Sequence, residues 1–322
     1  MRSENIENFP VDIVYLWCDS SDENWRQKKN YELQKYGKPL DNDSVGDCRF
    51  INNNELKYSL RSLEKFAPWI NNIFIVTDNQ VPDWLDTTNP KIHIVDHNEI
   101  MPADCLPTFN SPALETVLHK IPNLSEHFLY ANDDMFFGRP VEKSFFYNKS
   151  GEPIFRFSKR RIINKTYKHL YGHTIWLAYN FVKQSIGKSF PNFPHHNIDA
   201  YRKYDIEKCY EVFKNDFDET TKQKFREKQC VQRSIYGYYS LAKGIGEARV
   251  VDNLWAKLTC HNGLDSILIE LKESKLKLLE KYKPYLFCLN DSLKTTDDDR
   301  VAMKEYLESR FEKPCAFEKN IE

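Results

Sequence analysis

Four short apolar runs constrain the fold more than any other feature: VDIVYLW (11–17), NIFIVT (72–77), KIHIVD (91–96) and HFLYAN (127–132). Each has the length of a strand, is rich in β-branched and aromatic residues, and ends at turn-forming or acidic residues. The segments between them read as helices and turns. Residues 20–35 predict a polar helix, and NNELKYSLRSLEKFAPW carries Leu56, Leu60, Leu63 and Ala67 at helical spacing. Asn52 or Asn53 is the expected N-cap and Pro68 stops it. SPALETVLHKI (111–121) predicts a short helix with Pro in its first turn, where a missing N–H costs little. Strand, helix, strand, strand, helix, strand is the alternation of an α/β sheet, whose ligands lie beyond the carboxyl ends of the strands.

The last of the four runs delivers Asp133 and Asp134 to such an end. Paired carboxylates there suit Mg²⁺ or Mn²⁺, hard ions that take one or two carboxylates together with substrate phosphates. A plain Asp turn explains the pair about as well. CLNDS (288–292) repeats the pattern, an apolar run closing on Asn290 and Asp291, so two strand ends can converge on one ion. FPHHNID (193–199) sets His195 and His196 in a loop. Either can act as a base near neutral pH, or simply cap the next helix. Arg226 in KFREKQ has the planar fork of a phosphate clamp, although a solvated charged face explains it equally. P-loop, dinucleotide and nucleophile-elbow motifs are missing from the sequence.

From about residue 164 the texture changes. Segments 164–187, 197–214 and 219–244 read as largely helical, followed by strand-like ARVVDNLWAKL and PYLFCLND and a last helix in DDDRVAMKEYLESRF. The 46 Lys and Arg balance 47 Asp and Glu, which gives no electrostatic case for nucleic acid. The eight scattered cysteines suggest reduced thiols, and no run has signal-peptide or membrane-span length. The expected location is cytoplasmic.

Together these residues resemble the Stealth family of sugar-phosphate transferases, which includes bacterial capsule polymerases and the lysosomal-targeting N-acetylglucosamine phosphotransferase. Four family regions are matched in order. They are VDIVYLWCDSSDENW (11–25); the long stretch from NNNELKYSLRSLEKFAPW to HFLYANDDMFFG; PHHNIDAYRK through FREKQCVQRSIYGYYSLAKG; and FCLNDS with YLESRFEKPCAFE. The resemblance implies a GT-A-like Rossmann-type α/β core over 1–163 and 245–322. A helical insertion over 164–244 then carries the third-region residues.

The implied reaction moves sugar-1-phosphate, with HexNAc as the expected sugar, from a UDP-sugar to a hydroxyl of a capsular glycan, releasing UMP. By the same resemblance Asp133, Asp134, Asn290 and Asp291 hold Mg²⁺ or Mn²⁺. Asp134 also counts among the catalytic residues, His195 or His196 is the base, and Arg226 clamps the diphosphate. Asp19, Asp22, Asn53, Glu55, Arg61, Asn110 and Ser111 fall beside the nucleotide. The implied partners are the donor, the glycan acceptor and other capsule-assembly proteins, at the inner face of the inner membrane.

One departure concerns Asn52, which stands where the family usually has Asp. Asn brings no charge and cannot be a base, so slow turnover is expected, with a gain on Asn52→Asp. The alternatives are a conventional glycosyltransferase that releases UDP and a non-catalytic glycan-binding module.

Overall fold

The four apolar runs become neighbouring strands of one sheet. The computed structural model describes residues 9–37, 39–163, 167, 169–251 and 264–320. In chain order the elements begin with β1 (Val11–Leu16), α1 (Glu23–Tyr36), α2 (Asn42–Val45), α3 (Glu55–Phe66), β2 (Ile73–Thr77) and β3 (Ile92–Asp96). Next come α4 (His97–Ile100), α5 (Ser111–Glu115), β4 (His127–Asn132), β5 (Met135–Phe137), β6 (Ile154–Arg161) and α6 (Leu170–Ile186). The chain continues through β7 (Asn192–Pro194), β8 (Asp199–Arg202), α7 (Lys203–Val212), α8 (Lys214–Lys222) and α9 (Ser234–Lys243). It closes with β9 (Glu247–Val251), β10 (Ser266–Glu270), α10 (Glu273–Tyr282), β11 (Leu286–Asn290) and α11 (Asp297–Arg310).

The main sheet runs β3-β2-β1-β4-β8, parallel through its first four strands, with β8 antiparallel to β4. This is the order of a doubly wound α/β sheet. Every residue of β1 is buried, as a central strand covered on both faces requires. Its side chains alternate between two cores. Val14 and Leu16 pack with Phe74, Val76, Phe128 and Tyr130 under α6 and α9. Ile13 and Tyr15 pack with Ile73, Ile75 and Leu129 under Leu56, Leu60 and Leu63 of α3. Each fully buried Leu is worth about 1.5–3 kcal/mol, so α3 is held by its apolar face. Its N-terminus contributes little: the cap is Asn54, left-handed at φ 63° and without a side-chain capping bond, in place of Asn52 or Asn53.

Two smaller sheets flank the first, β10-β11-β5 and β7-β6-β9. The chain changes sheet at Asp133–Asp134. β4 ends at Asn132, and β5 leaves to pair antiparallel with β11, Met135 opposite Cys288. The segment 164–244 is less separate than its composition suggests. It supplies β8 to the main sheet and β7 to the third, and its helices share the core beneath β1 and β4. The strand expected over 248–258 is described only as β9, the rest falling outside the described residues. Among the described residues no cysteine forms a disulfide, and no helix is long and apolar enough to cross a membrane.

Candidate active site at the strand ends

The carboxyl ends of β1, β2 and β4 and the start of β8 open on one side of the main sheet, and most of the expected residues gather there. After β1 the chain turns at Asp19, whose backbone is clamped by Gln80: its N–H donates to Gln80 Oε1 at 3.0 Å and its carbonyl accepts from Gln80 Nε2 at 2.8 Å. The Asp19 carboxylate accepts from Ser21 N–H at 2.8 Å and from Asn52 Nδ2 at 2.7 Å. Asn52 in turn accepts from Asn54 N–H at 2.9 Å, so it braces two loops. Asp22 is spent on the fold: it caps α1 through Asn24 and Trp25 N–H, and it also accepts from Gln80.

Asn53 donates twice to Glu55, from its backbone and from its side chain, both at 2.7 Å. Glu55 is only 5 % exposed at the start of α3. Burial pushes its carboxyl up to about 7, with the charge of Asp134 adding to the rise. The half-buried turn acids respond alike. Burial lifts Asp134 to about 6, while burial together with the charges of Glu55 and Asp134 holds Asp133 well above the usual carboxylate range. Cys288 Sγ donates to Asp134 Oδ2 at 3.2 Å, and Asp134 Oδ1 is buried with no partner. Three carboxyls therefore share a region in which burial outweighs the neutralising charge that Arg233 and Arg49 bring to Asp134.

The second Asn-Asp end arrives as expected, because Leu289 N–H donates to the Asp134 carbonyl at 3.1 Å. Its acid does not stand free. Asp291 is bound by both arms of the Arg300 guanidinium at 2.8 and 3.2 Å, and Asn290 Nδ2 turns to the Asp291 carbonyl. Arg61, expected at the nucleotide, grips Glu318 through Nε and Nη2 at 2.6 and 2.7 Å and donates to the Phe311 carbonyl. It lies well along α3 from Glu55 and fastens the C-terminal segment.

The two histidines separate cleanly. His195 Nδ1 bonds Ser266 Oγ of β10 at 2.6 Å, and burial lowers its imidazole to about 4. His196 packs edge-on to Tyr171, and burial, then the charges of Arg233, Arg226 and Arg49, hold it well below its ordinary value. His196 is thus the histidine beside the arginines. Arg226 Nη2 donates to Ser111 Oγ at the start of α5. Neighbouring Asn110 donates to the Gln223 carbonyl at 3.1 Å and leaves Oδ1 buried and unpartnered. Arg226, Asn110 and Ser111 therefore do come together. Reading the sequence missed Arg233, Asp199 and Gln80, which carry no motif and are recognisable only once β8 lies beside β4.

Among the described residues no group of three or more His, Cys, Asp or Glu side chains is set to hold a metal ion. An ion here would need substrate oxygens as well as protein ones. The unpartnered Asp134 oxygen and the raised carboxyls of the turn fit that arrangement, since a divalent ion with phosphate ligands needs few carboxylates.

Comparison with known proteins adds three findings. A family model, Stealth protein CR2, conserved region 2, matches residues 49–155, the stretch that holds Asn52 to Glu55, Asn110 and the acidic turn. The capsular polysaccharide phosphotransferase fcs1 of Haemophilus influenzae is 35 % identical over 300 residues, 88 % of this chain and 78 % of that protein. The capsular polysaccharide phosphotransferase of Neisseria meningitidis serogroup B is 31 % identical over 327 residues, 96 % of this chain and 85 % of its own length.

Proposed function

The chain belongs to the Stealth family, and from that premise we propose that it transfers sugar-1-phosphate from a UDP-sugar to a hydroxyl of a surface glycan. The observation that carries this reading is the pairing of an under-neutralised acidic turn, Asp133–Asp134 with Glu55, with His196 and Arg226 at the same strand ends. The kinship with enzymes named capsular polysaccharide phosphotransferases supports it.

The acceptor oxygen attacks the phosphorus next to the sugar, one P–O bond forms, and the bond to UMP breaks. The glycan gains a phosphodiester and the anomeric bond stays intact. His196, neutral at working pH because burial and arginine charge keep it so, takes the acceptor proton. The imidazolium that results is tolerable only beside negative charge, which the bound diphosphate supplies. Arg226, steadied by Ser111, grips diphosphate oxygens through its fork. Asp133 and Asp134 would hold Mg²⁺ or Mn²⁺, which supplies charge neutralisation at the leaving phosphate. With such parts, catalysis is mostly positioning and charge stabilisation.

The test is product analysis. Protein incubated with Mg²⁺, a UDP-HexNAc and an acceptor glycan is expected to release UMP and leave phosphorus in the glycan. UDP release with a phosphorus-free product would make the chain a conventional glycosyltransferase.

A further inference from the structure

The Arg226 clamp accounts for one cation, yet the strand ends hold a second that is more deeply built in. Arg233, only 5 % exposed, lies with its guanidinium 4.8 Å over the Tyr130 ring. Its Nε pairs with Asp199 at 3.2 Å and its Nη2 donates to the Asn197 carbonyl at 3.2 Å, while Nη1 has no partner. Two neighbours share that deficit. Asn197, 3 % exposed, uses its side-chain oxygen on Ile198 N–H and leaves Nδ2 unbonded. Gln232, 9 % exposed, leaves Nε2 unbonded.

Burying a polar group without a partner is costly, so native proteins rarely do it without cause. Here three unpartnered N–H donors stand on two segments that Arg233 itself ties together. All three lack an acceptor, and none lacks a donor. Such a set suits a ligand made of acceptors alone, and phosphoryl oxygens are of that kind.

The setting agrees. Gln232 and Arg233 immediately precede Ser234, the first residue of α9, whose N-terminus has no side-chain cap. Three acids face the cluster: Asp134, whose charge Arg233 partly offsets and which holds Cys288 Sγ through one oxygen, and two that are engaged with the cluster itself. Glu115 accepts from Arg233 N–H at 2.8 Å and from the Tyr130 hydroxyl at 3.1 Å; Asp199 takes Arg233 Nε and the Tyr201 hydroxyl. Arg226 and Arg49 add positive charge close enough to bear on His196, as Arg233 does.

We propose that Arg233, Asn197 and Gln232 form a buried donor cradle for a phosphoryl group of the diphosphate, separate from the Arg226 clamp. This rests on the donor being a nucleoside diphosphate compound, as in the proposed function. Within that reading the cradle takes oxygens of one phosphate while Arg226 takes the other.

Inorganic pyrophosphate in metal-free buffer probes the cradle without any catalytic step. By calorimetry, Gln232→Met and Asn197→Leu are each expected to weaken its binding about tenfold or more, the scale of a hydrogen bond to a charged group. Gln232→Met should not lower the melting temperature, because it removes a buried donor that has no internal bond, whereas Asn197→Leu also loses the bond from Ile198 N–H and is read by affinity alone. Arg233→Lys, which keeps the charge beside Asp199 and loses the fork, should weaken binding further. Unchanged pyrophosphate affinity in Gln232→Met and Asn197→Leu overturns the proposal, as does a wild-type protein that binds no pyrophosphate. A drop in melting temperature for Gln232→Met also overturns it, since that amide would then serve the fold. Should the variants behave as expected while turnover of a UDP-sugar yields UDP, the cradle stands and the phosphotransfer reading falls.

Discussion

Two strand ends in this molecule carry the same letters and opposite electrostatics. β4 closes on Asn132 and then Asp133–Asp134; β11 closes on Asn290 and then Asp291. Around the first, burial raises both carboxyls, the charges of Glu55 and Asp134 lift Asp133 further, and one Asp134 oxygen has no partner. Around the second, Arg300 of α11 closes on Asp291 with both arms. A motif therefore states where an acid is, and the neighbours decide whether its charge remains available. The sharpest way to break the contrast is to neutralise each acid in turn. Asp134→Asn should lower turnover about 10³-fold or more, the scale of several kcal/mol of lost charge stabilisation, while leaving stability equal or higher. Asp291→Asn should cost within about threefold in rate, a small ΔΔG‡. It should also lower stability by roughly 1–2 kcal/mol, because Arg300 loses its main partner. Paired kinetic and denaturant measurements check both halves, and equal rate losses would erase the distinction.

The same logic divides the adjacent histidines. His196 stands with Arg226 and Arg233, whereas His195 is tied to Ser266 of the second sheet. His196→Ala should lose about 10²-fold in turnover, the lower end for a general base. His195→Ala should be felt first in thermal stability. A larger rate loss from His195→Ala would move proton transfer to the other ring.

The two ends also explain how far the sequence could be read. The strands at 11–17, 72–77, 91–96 and 127–132 were legible because buried parallel strands are short apolar runs, and their order placed Asp133–Asp134 at a sheet end. β8 was not legible: Asp199–Arg202 has only four residues and its partner β4 is distant in sequence, so no local pattern marks it. The run 164–244 therefore read as helical. Of the expected site residues, Asn110, Ser111, Arg226 and His196 come together, since the resemblance carries long-range information that local spacing lacks. Arg61 and Asp291 look like site residues in sequence, but they are spent on Glu318 and Arg300, partners 257 and 9 positions away. Ion pairing of that kind leaves no trace in a motif.

A third contrast appears with pH. A carboxyl whose folded pKa lies above its unfolded one favours folding while protonated and opposes it once ionised. Glu55 and Asp134, at about 7 and about 6 against ordinary values of 4.5 and 3.8, belong to this class. Their contribution is present at low pH and is lost as pH rises through 6 to 7. Histidines held below their ordinary value, His195 and His196 among them, act in the opposite sense over this range, so the share of the acids is read as a difference. Between pH 5 and 8 the melting temperature of metal-free wild type should drop relative to that of Glu55→Gln, by on the order of 3 °C. Mg²⁺ should restore it at pH 8 and do little at pH 5. Profiles that run parallel in wild type and Glu55→Gln would place the titration elsewhere.

The smallest effect concerns Asn52, the neutral residue beside the acids. Its amide donates to Asp19 at 2.7 Å while its oxygen holds Asn54 N–H, so both ends of the side chain are occupied. An Asp there keeps the second bond and turns the first into a carboxylate–carboxylate contact. Only a proton or a cation could relieve that contact. In metal-free protein Asn52→Asp should therefore cost about 1.5–3 kcal/mol, the scale of one hydrogen bond lost to a charged group, and loosen the Asp19 loop. The family pattern argues the other way for catalysis, because an acid at this position adds charge beside the strand ends. Turnover decides between the two. The bonds around Asn52 favour a brace, and on that basis Asn52→Asp leaves the rate unchanged or lower, with or without Mg²⁺. A rise of about 10²-fold in the presence of Mg²⁺ would show instead that Asp19 and residue 52 form a second under-neutralised pair like Asp133–Asp134, which this chain has quenched with an amide.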